Sequence, residues 1–313
     1  MARRVSRVEA RHRPARGGRT WLAGLVLLVA WGARPLPAAE CREAPLMLVH
    51  PVVSAAYEPI ITQLAAGLMS DTTAPTAVCT LPELDRYRGS PVPRRLVAVS
   101  ESAYAAARQA FPQARVWPIL VQDRPADADR GVSRFVAPAL VIAELHTLSP
   151  AIETLVFVYR ATVPDTVVQQ ARAAAQARGL AWEAMAVDDL RAAARAIEQV
   201  RQQATPTRAV WLHRDVLALN PDILIPPLVR RSWEIGFPVA SDDADSVERG
   251  LLLALTPDYR ALGRTLAAWP TQEPAPGWRD IDTVRRVLNR RTARAIGAAR
   301  HPAEETHFDV IFD

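Results

Sequence analysis

Short apolar runs alternate with amphipathic stretches along most of this chain. A run of four to eight apolar residues is typical of a buried strand, and apolar positions three and four residues apart are typical of a helix that covers it. In the first part of the chain the pattern predicts strands at 44–51, 76–81, 95–100 and 116–122 and helices at 55–69 and 101–111. This alternation predicts a doubly wound parallel sheet.

The same alternation continues after a polar segment at 123–131, which we interpret as a linker or hinge. The elements predicted next are helices at 138–148, 165–179 and 188–203 and strands at 154–159 and 180–187. Glycine at the end of one helix and acidic residues at the start of the next are the expected stop and start signals. A second sheet-centred unit therefore follows the first.

The most informative stretch of the chain runs from residue 208 to residue 269. An apolar run at 209–212 predicts a strand, which ends in the polar residues 213–215. Asn220 and Pro221 then form a helix start that Gly236 ends, and a short strand begins at 238–241. Strand, polar loop, helix and strand make one unit of a parallel α/β sheet.

Four segments carry a resemblance to a known family. They are GVSRFVAPALVIAELHTLSP at 131–150, TRAVWLHRD at 207–215, GLLLALTPDYRALGR at 250–264 and VLNRRTARAIG at 287–297. In this order they resemble the linker with the first helix of the second lobe, the "WLPPD" strand, the "GALLALSPDYxxLGR" segment and the terminal "VNLKTAKALG" of ABC-transporter substrate-binding proteins of the tryptophan/tyrosine type. Asp215 is in register with that family, whereas His213 and Arg214 replace its usual prolines. The resemblance spans roughly residues 45 to 298 and is strongest in the last third.

The resemblance implies an α/β protein with the type I periplasmic binding protein fold, in which two Rossmann-like lobes with parallel sheets are joined by a multi-strand hinge. On this basis we expect a first lobe of 40–124 plus 250–277, a second lobe of 125–249 plus 278–298, and a C-terminal tail of 299–313. The tail is weakly apolar, and it is expected to add an edge strand, to dock on a lobe or to bind a partner.

Residues 1–39 are predicted to be a secretory signal peptide. Arginines at the N-terminus precede an apolar run at 21–31 that is too short for a comfortable membrane span, and small residues suited to signal peptidase follow it. Cleavage after Ala38 or Ala39 would deliver the mature chain to the periplasm. An uncleaved N-terminal anchor is the alternative; no other run is long enough to cross a bilayer.

The net charge of +5 does not indicate a nucleic-acid-binding surface. Residues 1–38 contain eight arginines and one glutamate, so this segment carries +7 and the rest of the chain is close to −2. The basic charge therefore belongs to the predicted export signal, and no nucleic-acid partner is expected.

The chain has two cysteines, Cys41 and Cys79. In an oxidising periplasm such a pair can form one disulfide, and neighbouring parallel strands would bring the two residues close. Two independent thiols are the alternative. Their spacing excludes a zinc-type CxxC pair.

Signatures of catalysis are largely absent from the sequence. It contains no GxSxG, HExxH, Walker or GxGxxG motif, and the six histidines are scattered. We therefore expect a protein that is not an enzyme and that needs no cofactor and no metal. A secreted hydrolase built from residues distant in sequence is the least favoured alternative.

In a two-lobed α/β protein the loops at the carboxyl ends of the strands face the cleft between the lobes, where helix N-termini favour anionic groups. The candidate ligand-binding residues in these loops are His50, Ser54, Tyr57, Ser100, Glu101, Ser102, Tyr159, Arg160, Thr162, His213, Asp215, Ser241 and Asp242. In the resembled family a Gly-Ser or Gly-Thr pair after the third strand holds the ligand carboxylate. Ser100 stands at the glycine position here.

Most of these residues also have a purely structural interpretation. Ser100 and Ser102 can cap a helix, and Tyr57 can pack on its own helix. Asp215 either binds a ligand amine or forms a local cap or hinge bond. Asp242 can belong to a solvated turn, and Arg160 is either exposed to solvent or forms a bidentate clamp for a carboxylate.

Together with the predicted export signal, the resemblance implies a periplasmic substrate-binding protein of an ABC-type uptake system, a monomer that binds an amino-acid-like solute or another small organic anion. Its partner would be an ABC permease. The alternative is a ligand-sensing or accessory protein of the same fold that couples to a histidine kinase or an outer-membrane receptor. After cleavage of the signal no stable membrane insertion is expected.

Overall fold

A computed structural model describes residues 45–70, 76–87, 95–269, 277–298 and 306–313. The strands in these ranges are β1 (Leu46–His50), β2 (Thr76–Thr80), β3 (Arg95–Val99), β4 (Arg115–Val121), β5 (Gly131–Val136), β6 (Thr154–Arg160), β7 (Ala181–Val187), β8 (Arg208–Leu212), β9 (Val239–Ser241), β10 (Leu253–Pro257), β11 (Trp278–Ile281), β12 (Val284–Asn289) and β13 (Val310–Phe312). The helices are α1 (Glu58–Ser70), α2 (Leu81–Leu84), α3 (Glu101–Ala110), α4 (Pro138–Leu148), α5 (Asp165–Gln176), α6 (Leu190–Gln202), α7 (Arg214–Leu217), α8 (Pro221–Ile235), α9 (Ala244–Glu248), α10 (Tyr259–Ala268) and α11 (Arg290–Ala295).

The strands form two separate sheets. The first sheet has the order β11-β5-β4-β3-β1-β2, and its pairs are parallel. The second has the order β13-β12-β10-β9-β8-β6-β7 and is parallel apart from the antiparallel pair of β10 and β12. The predicted fold class, α/β with two sheet-centred lobes, is confirmed.

Both faces of each sheet are buried, which explains the continuous apolar runs in the sequence. In β1, Leu46 and Leu48 pack on one side of the first sheet, and Met47 and Val49 pack on the other. In β6 the alternate residues likewise enter two different cores of the second sheet. Helices cover all four surfaces, so the polar ends of the strands are the parts of each sheet that remain accessible.

The first lobe depends on a close contact between α1 and α10. A Cβ atom added at Gly67 would lie 2.1 Å from the carbonyl oxygen of Arg260, and one added at Gly263 would lie 2.3 Å from that of Leu64. Since no real side chain tolerates such distances, glycine at both positions allows the two helix backbones to touch. Helix α10 thereby joins the core of the first lobe, where Leu262 and Leu266 are buried.

Three connections in the described part of the chain pass between the lobes, at residues 137, 258 and 282–283. The backbone N–H of Ala137 donates to the carbonyl of Ile281 at 2.9 Å, and that of Asp258 donates to the carbonyl of Thr283 at 2.8 Å. These bonds tie the three crossing segments to one another and form a multi-strand hinge beside the ends of β5 and β10.

The boundaries predicted for the lobes need three corrections. Strands β5 and β11, predicted in the second lobe, lie in the first sheet, and strand β10, predicted in the first lobe, lies in the second sheet. Strand β13 pairs in parallel with β12 at the edge of the second sheet, which is the added edge strand that was one of the alternatives for the tail. An apolar run predicts that a strand exists, but its partner depends on where the chain crosses the hinge.

Several predicted features fall outside the described residues. These are the signal peptide at 1–39 and the predicted disulfide partner Cys41. Cys79 itself, in β2, is disulfide-bonded. None of the helices in the described part of the chain combines the length and apolar composition that a membrane crossing requires.

Candidate ligand-binding site

A cavity of about 590 Å³ lies between the two lobes, at the carboxyl ends of their strands. The residues from the first lobe and from α10 that line it are Pro51, Val53, Tyr57, Ile60, Ile61, Val99, Ser100, Leu120, Arg134 and Tyr259. Those from the second lobe are Arg214, Asp215, Leu217, Ala218, Pro221, Asp243, Asp245 and Arg249. The volume is in the range of sites that hold small organic molecules.

The two walls of this cavity differ in chemistry. The wall of the first lobe is mostly apolar, because the loop after β1, helix α1 and the ends of β3 and β4 present Val53, Ile60, Ile61, Val99 and Leu120. The wall of the second lobe carries arginine and aspartate side chains. A molecule that spans the cavity would therefore meet apolar groups on one side and paired charges on the other.

Arg134, on β5 beside the hinge, is the charged residue that the first lobe contributes, and it meets the charged wall of the second lobe. Its Nη2 atom donates to Oδ1 of Asp215 at 3.2 Å, and its Nη1 atom donates to the side chain of Gln122 at 3.4 Å. Arg214 donates from Nη2 to the backbone carbonyl of Arg134 at 3.3 Å. These contacts bring groups of both lobes together next to the cavity.

Arg214 is a largely buried cation. Burial opposes its charge, but the carboxylate of Asp242, together with Tyr259 and Asp215, outweighs this cost, so the pKa of the guanidinium is raised above its ordinary value. The backbone N–H of Arg214 also donates to Oδ1 of Asp242 at 2.7 Å. The residue is therefore permanently charged and is held in place by a carboxylate behind the cavity wall.

Asp243 lies farther along the same wall, at the start of α9. One of its carboxylate oxygens accepts the backbone N–H of Ser246 at 3.1 Å and caps that helix. Burial raises the pKa of the Asp243 carboxyl, and the neighbouring carboxylate of Asp245 raises it further. The Asp243 carboxyl therefore takes up a proton more readily than an exposed aspartate does.

Two strained backbone positions lie in the apolar wall. Ser100 has φ +90° and Leu120 has φ +53°, and they are the non-glycine residues with positive φ in the described part of the chain. Ser100 directly follows β3, and Leu120 is the next-to-last residue of the neighbouring strand β4. The N–H of Ser100 donates to the carbonyl of Ile119 at 3.0 Å. Strain of this kind is found where the surrounding structure holds a functional surface in shape.

The structure brings three of the predicted site residues, Tyr57, Ser100 and Asp215, to the cavity surface. Glu101 and Ser102 are adjacent but have local partners. An oxygen of Glu101 accepts the backbone N–H groups of Gln122 and Asp123, and the hydroxyl of Ser102 lies 3.0 Å from that of Ser100.

The other predicted residues are not among those that line the cavity: His50, Ser54, Tyr159, Arg160, Thr162, His213, Ser241 and Asp242. His213 is buried, and its Nδ1 atom accepts the N–H of Asp215 at 3.3 Å. The carbonyl of Thr162 accepts a hydrogen bond from Gln122 across the lobes at 3.0 Å. His213 therefore supports the cavity wall from behind, and Thr162 takes part in a hydrogen bond between the lobes.

Sequence reasoning missed several residues of the cavity, among them Arg134, Arg214, Tyr259, Asp243, Asp245 and Arg249. Arg134 lies in a segment that was expected to be a linker, and an arginine-rich composition makes any single arginine inconspicuous. Tyr259 stands directly after Asp258, the N-cap of α10. The position of a helix start beside the hinge was the signal that could have identified it.

Comparisons with known proteins support the fold. No protein-family profile matches the chain, and no curated protein matches it. A substrate binding protein with adhesive properties from Clostridium difficile, in its ligand-free, open structure, aligns with a TM-score of 0.62 and 13% identity over 85% of this chain and 98% of that one.

Two further solved structures are similar at lower scores. An ABC domain in complex with L-Trp from Streptococcus pneumonia aligns with a TM-score of 0.51 and 14% identity, over 85% of this chain and 100% of that one. A LacI transcriptional regulator from Lactobacillus brevis also scores 0.51, with 12% identity over 77% and 98%. The chain therefore has the two-lobed fold of type I periplasmic binding proteins, a fold that transcriptional regulators share.

Proposed function

We propose that this protein binds a small organic solute in the cavity between its lobes and that movement of the lobes about the hinge encloses it. The observation that carries this proposal is the cavity itself, which both lobes line and which has one apolar and one charged wall. When two lobes that share a site move about a hinge, the exposure of that site to solvent changes. Proteins of this kind use the movement to signal that a ligand is bound.

Amino-acid-like molecules and other small carboxylates are the solutes that we propose. Arg134 and Arg214 supply donors for an anionic group, and the N-terminus of α3 begins beside the cavity at Ser100. The similar structures include a substrate binding protein and a domain bound to L-Trp, and this agrees with the proposal.

We further propose that the chain is exported to the periplasm and delivers its solute to an ABC permease. The arginine-rich N-terminus followed by a short apolar run supports export. N-terminal sequencing of the protein recovered from the periplasm tests this part: a new terminus near residue 39 or 40 supports it, and an intact N-terminus in the membrane fraction contradicts it.

A thermal-shift panel of amino acids, organic acids and sugars on the purified protein tests the binding function. A solute that binds the folded state raises the melting temperature in proportion to its affinity and concentration. We expect a concentration-dependent increase with at least one amino acid or organic acid. No increase with any member of the panel at millimolar concentration would contradict the proposed function.

A further inference from the structure

We propose that the solute carries a carboxylate and an apolar body but no ammonium group, and that Arg134 is the residue that receives the carboxylate. This inference rests on the proposed function, because it concerns the same cavity. It narrows the proposed solutes to the small carboxylates that carry no amine, and it departs from the expectation that Asp215 binds a ligand amine.

The geometry of Arg134 suits it to bind a carboxylate. Its guanidinium lies 5.7 Å from the centre of the Phe135 ring, a contact that restricts its orientation, and the side chain lines the cavity. A guanidinium has five N–H donors, of which the contacts to Gln122 and Asp215 use two. The remaining donors allow it to take a further carboxylate in a bidentate manner.

Asp215 is poorly placed to bind an ammonium group. Its carboxylate is 3.2 Å from the guanidinium of Arg134, and it also interacts with the charge of Arg214. An incoming ammonium would approach two fixed cations while competing for one anion. Unfavourable charge placement of this kind excludes ligands as effectively as a steric clash.

The other carboxylates of the cavity offer an ammonium little compensation. Asp243 is engaged as the cap of α9, whereas Asp245 is exposed to solvent, where an ion pair contributes little. The two arginines that the second lobe contributes are already paired, Arg214 with Asp242 and Arg249 with Asp222. Recognition by charge is therefore concentrated at Arg134, close to the hinge.

The apolar side chains of the first lobe would contact the rest of the solute. These branched side chains, Val53, Ile60, Ile61, Val99 and Leu120, present no charged group to a bound solute. An apolar body would displace water from this wall while its carboxylate reaches Arg134. The substrate class is thus an apolar monocarboxylate.

Three probes share a phenylalkyl group and differ in their charged groups: 3-phenylpropanoate has a carboxylate, L-phenylalanine has a carboxylate and an ammonium, and 2-phenylethylamine has an ammonium. They therefore show which charged group the cavity binds. Titration calorimetry on the purified protein should show that 3-phenylpropanoate binds at least tenfold more tightly than L-phenylalanine and that 2-phenylethylamine does not bind. Preference for either amine-bearing probe would overturn this inference and leave the proposed function intact. Binding of none of the three, with no response in the wider solute panel, would overturn both.

Variants test the assigned residue. Arg134→Gln should weaken 3-phenylpropanoate at least tenfold, and Arg134→Lys, which keeps the charge but loses bidentate geometry, should restore part of the affinity. Asp215→Asn should strengthen binding at least threefold, because it frees Arg134 from its competing carboxylate. Unchanged affinity in Arg134→Gln would overturn the inference. If that variant fails to fold, weaker or unchanged binding in Asp215→Asn would overturn it.

Discussion

Ser100 and Leu120 lie side by side at the ends of β3 and β4, and both hold left-handed backbone angles, with φ +90° and +53°. The hydrogen bond from Ser100 N–H to the carbonyl of Ile119, at 3.0 Å, joins the end of β3 to β4. Both residues line the cavity. Two adjacent residues of the apolar wall, Ser100 and Leu120, therefore have strained backbone conformations.

Replacement of Ser100 by glycine should stabilise the protein. The observed φ and ψ, +90° and 164°, are comfortable for glycine and costly for serine, so relief of strain should contribute about 1–2 kcal/mol. Loss of the capping hydroxyl, which is 3.4 Å from the N–H of Ala103, should cost only a few tenths of a kcal/mol. Urea denaturation of the wild type and of Ser100→Gly measures the difference.

Ser100→Ala is the matched control for this prediction. It removes the same hydroxyl but keeps the Cβ atom, so it should be no more stable than the wild type. A glycine variant that is no more stable than the alanine variant would show that the backbone at this position is not strained.

Alanine at Gly67 should destabilise the first lobe, although Gly→Ala in a helix interior usually stabilises by about 0.5–1 kcal/mol. The added methyl group would meet the carbonyl of Arg260 at 2.1 Å, so α1 and α10 must separate. We expect a net loss of about 1–3 kcal/mol, as for other overpacked contacts. Thermal and urea unfolding check this.

Gln63→Ala, an exposed substitution on the same helix, is the control for Gly67→Ala and should be close to neutral. Since α10 also presents Tyr259 to the cavity, Gly67→Ala should in addition weaken binding of any solute found. An increase in stability for Gly67→Ala would contradict the close helix contact.

Asp243→Asn should increase stability at neutral pH. Burial raises the pKa of this carboxyl above its ordinary value of 3.8, so the folded state binds the proton before the unfolded state does. The free energy of unfolding of the wild type therefore increases as the pH falls from the folded-state pKa of Asp243 towards 3.8. Asparagine keeps the cap of α9 and removes the charge, so its advantage should shrink as the pH falls through that range.

Denaturation of the Asp243→Asn variant and the wild type at several pH values between 7 and 4 tests this. Glu248→Gln, at an exposed position of the same helix, is the control and should show no such convergence. An advantage of asparagine that grows as the pH falls would contradict the prediction.

Removal of residues 306–313 should destabilise the second lobe by about 2 kcal/mol, because it exposes apolar surface and an edge strand. Phe308 packs against the core of the second sheet, and β13 covers the edge of β12. His307 and Arg286 both donate to the buried carboxylate of Glu144, at 3.1 and 3.0 Å. Of these two hydrogen bonds, the truncated chain would keep the one from Arg286 and lose the one from His307.

Thermal unfolding compares this truncation with the removal of Asp313 alone. Asp313 is mostly exposed and pairs with Arg290, so its loss should cost little. Equal melting temperatures for the longer truncation and the wild type would show that the terminal strand is not part of the folded lobe.

Much of the fold was predictable from local patterns. The helix at Pro138–Leu148 has the predicted bounds, and Asn220 and Gly236 delimit α8 as capping rules require; Gly236 has φ +86°. Strand β5 was not predicted, because its sequence, GVSRFV, places serine and arginine within a short apolar run. The sheet to which β10 belongs could not be inferred locally, because that depends on the hinge.

The candidate site was less predictable than the fold. Loops at strand ends could be identified from the sequence, and Tyr57, Ser100 and Asp215 do line the cavity. His213 and Asp242 stand at equivalent strand ends but face inward and hold the backbone around Arg214. The hydrophobic periodicity of the sequence does not predict the direction in which a loop side chain points. It also does not predict that Arg134 and Asp215 are neighbours.

The central claim, that a solute occupies the cavity between the lobes, is tested most directly by filling that cavity. Ala218 lines it and ends α7, whereas Ala177 ends α5 on the exposed surface with nearly the same backbone angles. Titration calorimetry of a solute from the panel should show wild-type affinity in Ala177→Trp and at least a hundredfold loss in Ala218→Trp. Equal affinity in the two folded variants would contradict the claim.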